Sequence, residues 1–318
     1  MRAVRYHETG GPDVLQVDDV ETPDPGPGEV RVAVHAAGVN PVDTYFRSGT
    51  YDPPTLPMVP GSDLAGVVDA VGEDVDAFAV GDRVFGTGLG NDRQGTYAEM
   101  AVAPADLLAH LPEGISFVEG AAVALVGTTA WQAVVHHGDL EPAQTALIHG
   151  GNGGVGHVAV QLAAAVGATV HATASEDYHD RLKRIGADAV FDYAREDLAD
   201  AVERAGPPEY VLDQRVDEYL SLDVEVLEAG GRVVAIGNTG NELTFEGINT
   251  AKGKDLRVQW MSMFNTPDTG AVLDRLATLM AAGDVVPEVD RTYPLEAAAD
   301  AQRAVLSESV FGKLVVEP

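Results

Sequence analysis

Ile148-His149-Gly150-Gly151-Asn152-Gly153-Gly154-Val155-Gly156-His157-Val158 is the stretch on which the reading of this chain turns. The apolar run Thr145-Ala146-Leu147-Ile148-His149 leads into it and predicts a short buried strand. Val155 to Val166, closed by Gly167, predicts a helix. The glycines therefore fall at a strand-to-helix turn, where they permit positive φ angles and let a ligand's phosphates approach the backbone. Amides at the start of a helix lack a partner within it, and the helix dipole favours an anion beside them. Gly154 and Val155 thereby join the glycines as candidate pyrophosphate-binding positions. Gly151, Gly153 and Gly156 fit G-x-G-x-x-G, a weak pattern by itself in a chain with 35 glycines. Its context is what marks it as a dinucleotide-binding turn: it follows a strand, opens a helix and precedes a second strand at Thr169 to Ala174.

Outward from that turn the rhythm is strand, helix, strand. Strands are predicted at 145–149, 169–174, 189–192, 210–213, 232–237 and 256–261, and helices at 155–166, 177–185, 194–205 and 217–228. Such alternation predicts a parallel, doubly wound six-stranded sheet. Residues 1–120 read differently. Arg2 to Tyr6, Leu15 to Val20, Glu29 to Ala37, Leu64 to Val71, Gly81 to Phe85 and Thr96 to Val102 are short strand candidates separated by Gly, Pro and Asp clusters. They predict a small, partly open β-barrel. After residue 264, helical patterns at 269–282 and 295–307 precede a last strand, Gly312 to Glu317, expected to return to the first domain. The domains are thus expected at 1–122 with 264–318, and at 123–263.

The composition narrows the function. There is no cysteine, which excludes disulfides, thiolate chemistry and any cysteine-bound zinc or iron–sulfur centre. The N-terminus carries no signal pattern and no unbroken apolar run is long enough for a bilayer, so the cytoplasm is the expected location and no membrane is expected. Fifty acids face 20 bases, a net charge of −30, and lysine occurs only at Lys183, Lys252, Lys254 and Lys313. The acids are dispersed, which argues against a disordered tail. A surface this acidic repels itself in dilute buffer and is at ease where salt screens it. That predicts a protein of a salt-loaded cytoplasm, with an ordinary acidic protein as the alternative. Nucleic acid, which needs a basic footprint, is not an expected partner.

Several separate motifs in order carry a resemblance over nearly the whole chain. They are Gly28-Glu29-Val30-Arg31-Val32, Gly38-Val39-Asn40-Pro41-Val42-Asp43, Tyr45-Phe46-Arg47-Ser48-Gly49-Thr50-Tyr51, Pro60-Gly61-Ser62-Asp63, Val80-Gly81-Asp82-Arg83-Val84, Gly95-Thr96-Tyr97-Ala98-Glu99, Val126-Gly127-Thr128-Thr129 and the glycine turn. With these the chain resembles a zinc-independent medium-chain dehydrogenase/reductase of the quinone oxidoreductase family. The resemblance implies a GroES-like catalytic domain, a Rossmann domain, a cleft between them and a homodimer joined partly through the Rossmann sheet. Where zinc-dependent members hold the metal with Cys, His and Cys, this chain has Asn40, Ser62 and Leu125, none of which supplies thiolate or imidazole. The lobe that binds structural zinc has no counterpart. His136 and His137 are adjacent and read as surface or packing residues, so no metal site is expected.

The nicotinamide cofactor is expected to be NADPH. Dinucleotide sites for NAD carry an acid at the end of the second strand, about 20 residues past the glycine turn, to hold the ribose 2′-hydroxyl. Ala174 and Ser175 stand there instead, with His179, Arg181 and Lys183 following. Glu176 and Asp177 stand against this choice, although acids are favoured at a helix N-terminus in any case. The resemblance adds Tyr193 near the adenosine phosphate, Gly237 and Asn238 beside the ribose, Met263, Phe264 and Asn265 around the nicotinamide, Thr128 on the nicotinamide side and Lys313 near the cleft. With the cofactor carrying the hard step, charge develops on the acceptor's oxygen, and hydrogen-bond donors are needed there. Asn40, Tyr45 and Tyr51 are the candidates, with Asp43 orienting Asn40 or the cofactor. The expected reaction is NADPH-dependent reduction of a quinone, of the EC 1.6.5 type. The alternatives are reduction of an activated alkene (enone, alkenal or enoyl ester) and a non-catalytic NADPH-binding role. Gln214-Arg215-Val216 departs from the glycine-rich turn common in relatives after Asp213, and predicts an altered contact near the ribose.

Overall fold

The computed structural model describes residues 1–318, which form two compact units: Met1–Thr128 with Pro267–Pro318, and Thr129–Thr266. In the first unit, β1 (Arg2–Arg5) and β2 (Gln16–Asp19) form an antiparallel ribbon. β3 (Glu29–Val39) is the hub of the larger sheet. Val30, Val32 and Val34 alternate inward, while Arg31 faces Asp69 and Asp24 on the outside. Helix α1 (Pro41–Ser48) follows, with Pro41 suited to a first helical position and Gly49, at φ +83°, ending it. Next come β4 (Leu64–Val71), β5 (Arg83–Gly86), β6 (Met100–Pro104) and β7 (Leu108–His110). The strand expected at 96–102 begins later because the amides of Thr96 and Tyr97 both turn to the Pro60 carbonyl, which bends the chain round the Pro60-Gly61 loop.

Helix α2 (Phe117–Trp131) has no polar stripe and runs on through a π turn to His136. This helix spans 20 residues at mean hydropathy 1.3, with 78% of its apolar window buried inside the protein. An all-round apolar helix that is mostly covered is a core helix.

The second unit contains β8 (Thr145–Ile148), α3 (Gly154–Val166), β9 (Thr169–Thr173), α4 (His179–Arg184), β10 (Ala189–Phe191), α5 (Leu198–Ala205), β11 (Tyr210–Asp213), α6 (Val216–Val226), β12 (Arg232–Ala235), α7 (Ile248–Gly253) and β13 (Arg257–Trp260). The sheet is parallel throughout, in the order β10-β9-β8-β11-β12-β13. This is the Rossmann order, with its reversal between β8 and β11. Leu147, Val211, Val233 and Ala235 lie in its core with Leu198, Val202, Leu220 and Val224 of the covering helices.

The tail comprises α8 (Thr269–Ala282), β14 (Val289–Pro294), α9 (Ala298–Ser307) and β15 (Lys313–Glu317), and it belongs to the first unit. β15 pairs antiparallel with β3, Leu314 opposite Val39 and Val316 opposite Ala37, and β14 lies parallel to β15. The seven strands run β14-β15-β3-β4-β5-β7, with β6 on β3. This register sets Lys313 beside Asn40, 273 positions apart in the chain.

Candidate active site and dinucleotide turn

In the first unit the residues after β3 form a buried polar cluster. The α1 helix needs acceptors for its leading amides, and Asp43 reaches back to the Asn40 N–H at 2.9 Å. The same carboxylate accepts from Ser62 Oγ at 3.0 Å and from the Tyr97 hydroxyl at 3.1 Å. Asn40 Nδ2 donates to Asp63 at 2.7 Å, and its Oδ1 accepts from Lys313 Nζ at 2.6 Å. Lys313 also donates to the Val39 carbonyl at 2.6 Å. Gly38 is required here, because a Cβ on it would lie 2.5 Å from Asp63 Oδ2 and 2.7 Å from the Ala121 carbonyl.

Burial sets the electrostatics of this cluster. It pushes the Asp43 carboxyl from the ordinary 3.8 to about 7, with the neighbouring Asp63 adding to the rise. Burial likewise raises Asp63, opposed by the Lys313 ammonium and the Asn40 amide, and lowers Lys313, opposed by the two carboxylates. Since Asp43 holds its proton more tightly folded than unfolded, its contribution to stability is full below about pH 4 and is lost as pH rises through about 7. Asp43→Asn, which removes the titration, is expected to gain stability relative to the natural chain by a few kcal/mol between pH 4 and pH 8. Denaturant midpoints of both proteins across that range check this; parallel curves would refute it.

The Lys313 side chain is buried on Val39 and Asn40. Asn40 is fully buried, with its amide held between Asp63 and Lys313, so it acts as a strut instead of presenting a free N–H. Asp63 and Tyr97 were not anticipated in the site; the Ser62-Asp63 pair within the quoted motif was the available signal. Thr128 is also fully buried, its hydroxyl bonding back to the Ala124 carbonyl at 2.7 Å. Tyr45 and Tyr51 stand edge to face at 5.7 Å, Tyr45 half-buried and Tyr51 exposed. Burial, then Tyr51, raises the Tyr45 hydroxyl, which stays a protonated donor through neutral pH. Arg47 is buried, donating to Gln302 Oε1 and the Gly10 carbonyl.

In the second unit the expected dinucleotide residues gather along the carboxyl edge of the sheet. The 150–153 turn follows β8, Ser175 and His179 follow β9, and Tyr193 follows β10. Gly237 and Asn238 follow β12, and Met263, Phe264 and Asn265 follow β13. The turn is locked from behind, by Gly151 N–H on the Thr173 carbonyl at 2.8 Å and Gly150 N–H on Thr173 Oγ1 at 3.1 Å. Gly150 has φ +59°, and a Cβ on Gly156 would lie 2.1 Å from the Gly150 carbonyl oxygen. The cradle therefore exists only because those positions lack side chains, which fits a phosphate held by backbone amides at the start of α3. Gly156→Ala is expected to cost about 1–3 kcal/mol of stability and to weaken dinucleotide binding at least about tenfold, because the turn must move. Calorimetric titration beside thermal melts checks both figures.

At the end of β9, Ala174 is buried and Ser175 half-buried, with no acid at the ribose position; His179 Nε2 lies 3.2 Å from the Ala174 carbonyl. Arg181 is half-buried on α4 and Lys183 exposed. Tyr193 is 51% exposed. Asn238 Nδ2 donates to Gly240, whose loop is pinned by Asp217. Met263 is buried while Phe264 is 38% exposed. The departure at Gln214 has a structural consequence: its amide lies where a Cβ of Gly150 would be, and its carbonyl faces Gly237. No three His, Asp or Glu side chains come together in a metal-holding group.

Residues 26–113 match the family model of the alcohol dehydrogenase GroES-like domain, and residues 185–316 that of the zinc-binding dehydrogenase. The quinone oxidoreductase of Homo sapiens is 36% identical over 329 residues, covering 99% of this chain and 97% of the human one. A solved NAD-dependent alcohol dehydrogenase matches the fold with a TM-score of 0.93 at 34% identity, over 100% of both chains. The Escherichia coli quinone oxidoreductase complexed with NADPH matches with a TM-score of 0.89 at 30% identity, again over 100% of both.

Proposed function

This chain belongs to the quinone oxidoreductase family of medium-chain dehydrogenase/reductases, and from that premise we propose that it reduces quinones with NADPH and without zinc. The observation that carries the reading is the glycine turn on the β8–α3 junction, together with a β9 that ends at Thr173 and is followed by Ala174 and Ser175 instead of an acid. A 2′-phosphate meets no carboxylate at that strand end, and Ser175 Oγ is a donor for it, with Arg181 and Lys183 on the next helix. The amides at the start of α3 hold the pyrophosphate. Tyr193, Gly237, Asn238 and the 263–265 turn line the same edge. For zinc, the donor set is wrong: Asn40 and Ser62 are side chains without thiolate or imidazole, and both are already bonded to Asp63 and Asp43.

NADPH, when bound, supplies the hydride. The chain supplies hydrogen-bond donors for the negative charge that develops on the acceptor oxygen, and Tyr45 and Tyr51 are its candidates. Asn40 and Asp43 anchor the N-terminus of the helix that carries Tyr45. We place the enzyme in the cytoplasm, working in high salt, as a homodimer that uses the β13 edge, where Trp260 is 57% exposed. Sedimentation at molar salt tests the dimer.

The test of function is consumption of NADPH and NADH with a panel of quinones and enones, in molar KCl. NADPH oxidation with quinones supports the proposal. Reaction with enones alone moves the substrate to activated alkenes. NADPH binding without turnover makes the chain a binding protein and removes the tyrosines from catalysis. Preference for NADH overturns the reading of Ala174 and Ser175.

A further inference from the structure

Beneath the glycine turn, at the strand-order reversal between β8 and β11, the second unit buries three titratable side chains in one cluster. His149 closes β8, Asp213 closes β11 and Asp223 comes from α6; all are essentially inaccessible to solvent. His149 Nε2 is 2.8 Å from Asp223 Oδ1, and its Nδ1 is 3.2 Å from Thr173 Oγ1. That same Thr173 oxygen accepts the Gly150 N–H of the turn. The His149 ring stacks on Tyr219 at 4.6 Å and 7°. Asp213 Oδ1 accepts the Arg215 N–H at 2.7 Å. Asp213 Oδ2 and Asp223 Oδ2 are buried without a hydrogen-bond partner, and Asp223 neighbours the Asp213 carboxyl closely enough to raise it.

Two buried neighbouring carboxyl groups, each with an unpartnered oxygen, ionise together only at severe cost. The other charged or titratable groups around the cluster are the Arg215 and Glu218 side chains at the exposed start of α6, paired with each other at 2.6 Å, and the hydroxyls of Tyr219 and Tyr193. None of these supplies a buried counter-charge.

We infer that the Asp213–Asp223 pair and His149 form a proton-holding relay that positions the dinucleotide turn through Thr173, so that binding of the anionic cofactor draws a proton into the protein. The inference rests on the dinucleotide reading of the turn given above. With the imidazolium and the shared proton both in place, the cluster is neutral. Loss of either proton leaves one net negative charge beneath the turn that must cradle a pyrophosphate. Loss from His149 also reverses the hydrogen bond to Thr173, turning its hydroxyl from acceptor to donor on the imidazole side. Burial lifts the Asp213 carboxyl to about 7, with Asp223 adding to the rise, so the change falls near neutrality. Burial opposes the charge on His149, but Asp223 and then Asp213 outweigh it and hold it above the ordinary 6.5. The protons belong to the cluster as a whole.

The experiment uses the full chain in molar KCl. Isothermal titration of NADPH in two buffers of different ionisation enthalpy, from pH 6 to pH 9, counts protons taken up on binding. Asp223→Asn and Asp213→Asn each place an amide N–H where the shared proton sits, and so mimic the protonated pair permanently. Relative to either variant, the natural protein is expected to take up an additional fraction of a proton near neutral pH and to lose about tenfold more affinity between pH 6 and pH 9. Taking the difference removes the ionisation of the ligand's own phosphate. Equal proton uptake in natural and variant proteins overturns the relay. A second readout needs no cofactor: the Gly150 amide resonance is expected to titrate near neutrality in the natural protein and to lose that titration in Asp223→Asn and in Thr173→Val. A Gly150 amide indifferent to pH in the natural protein overturns the relay, even if the chain binds no dinucleotide. That last result would sink the functional reading instead.

Discussion

Lys313→Met is expected to destabilise the protein by about 3–5 kcal/mol, the cost of leaving a buried carboxylate without its counter-charge. The ammonium sits between the Asn40 amide and the Val39 carbonyl, with Asp63 and Asp43 as the nearby acids. Methionine matches the stem of lysine closely, so lost packing contributes little. Asp63 would then keep only neutral donors, the Asn40 amide with Thr87 and the Leu125 backbone, and Asn40 Oδ1 would lose its donor. The double variant Lys313→Met with Asp63→Asn removes the stranded charge and is expected to recover more than half of the loss. Denaturant unfolding of the natural chain, both single variants and the double variant closes the cycle. If Lys313→Met costs less than about 1 kcal/mol, or the double variant recovers nothing, the ammonium is not what balances this cluster. The same set reports on the site, because a freed Asn40 loosens the start of the helix bearing Tyr45.

Transfer from molar KCl to dilute buffer is expected to lower the melting temperature by more than about 10 °C, with unfolding or dissociation at the lowest salt. The net charge is −30 on 318 residues, and much of the positive charge is already engaged. Arg2, Arg31, Arg93, Arg291 and Arg303 each contact two acids, Arg195 is held by both oxygens of Asp197, Lys313 is buried, and Lys254 donates to the carbonyls that end α6. Asp24 and Asp13 have side chains 94% and 89% exposed even with their arginine contacts. Screening shortens the reach of their repulsion from about 10 Å at 0.1 M salt to about 3 Å at 1 M. Replacing a set of exposed aspartates by asparagine is expected to shift the salt requirement downward. A melting temperature indifferent to KCl, in the natural chain, refutes adaptation to salt.

The Rossmann half was legible almost element by element. Its helices and strands carry local signals, a 3.6-residue or continuous apolar pattern between glycine punctuation, so β8 to β13 lie within a residue or two of their expected places. The other half was less so. Helix α1 was not anticipated, because its eight residues, about two turns, are shorter than the spans over which helical periodicity is read. Strand β6 began later than expected because a distant carbonyl, Pro60, captured two amides.

The amino-acid order by itself determined the class of fold, the place of the dinucleotide turn, the lack of thiolate and the acidic surface, since each is written in residue types at short spacing. Tertiary structure alone decided what the polar residues do. Lys313 and Asn40 became partners because β15 pairs with β3; His149, Asp213 and Asp223 met because β8 and β11 are neighbours and α6 packs over them. The physical reason is that a buried polar group takes its function from whichever partner satisfies it, and that partner is chosen by strand register across hundreds of residues, which no local pattern encodes.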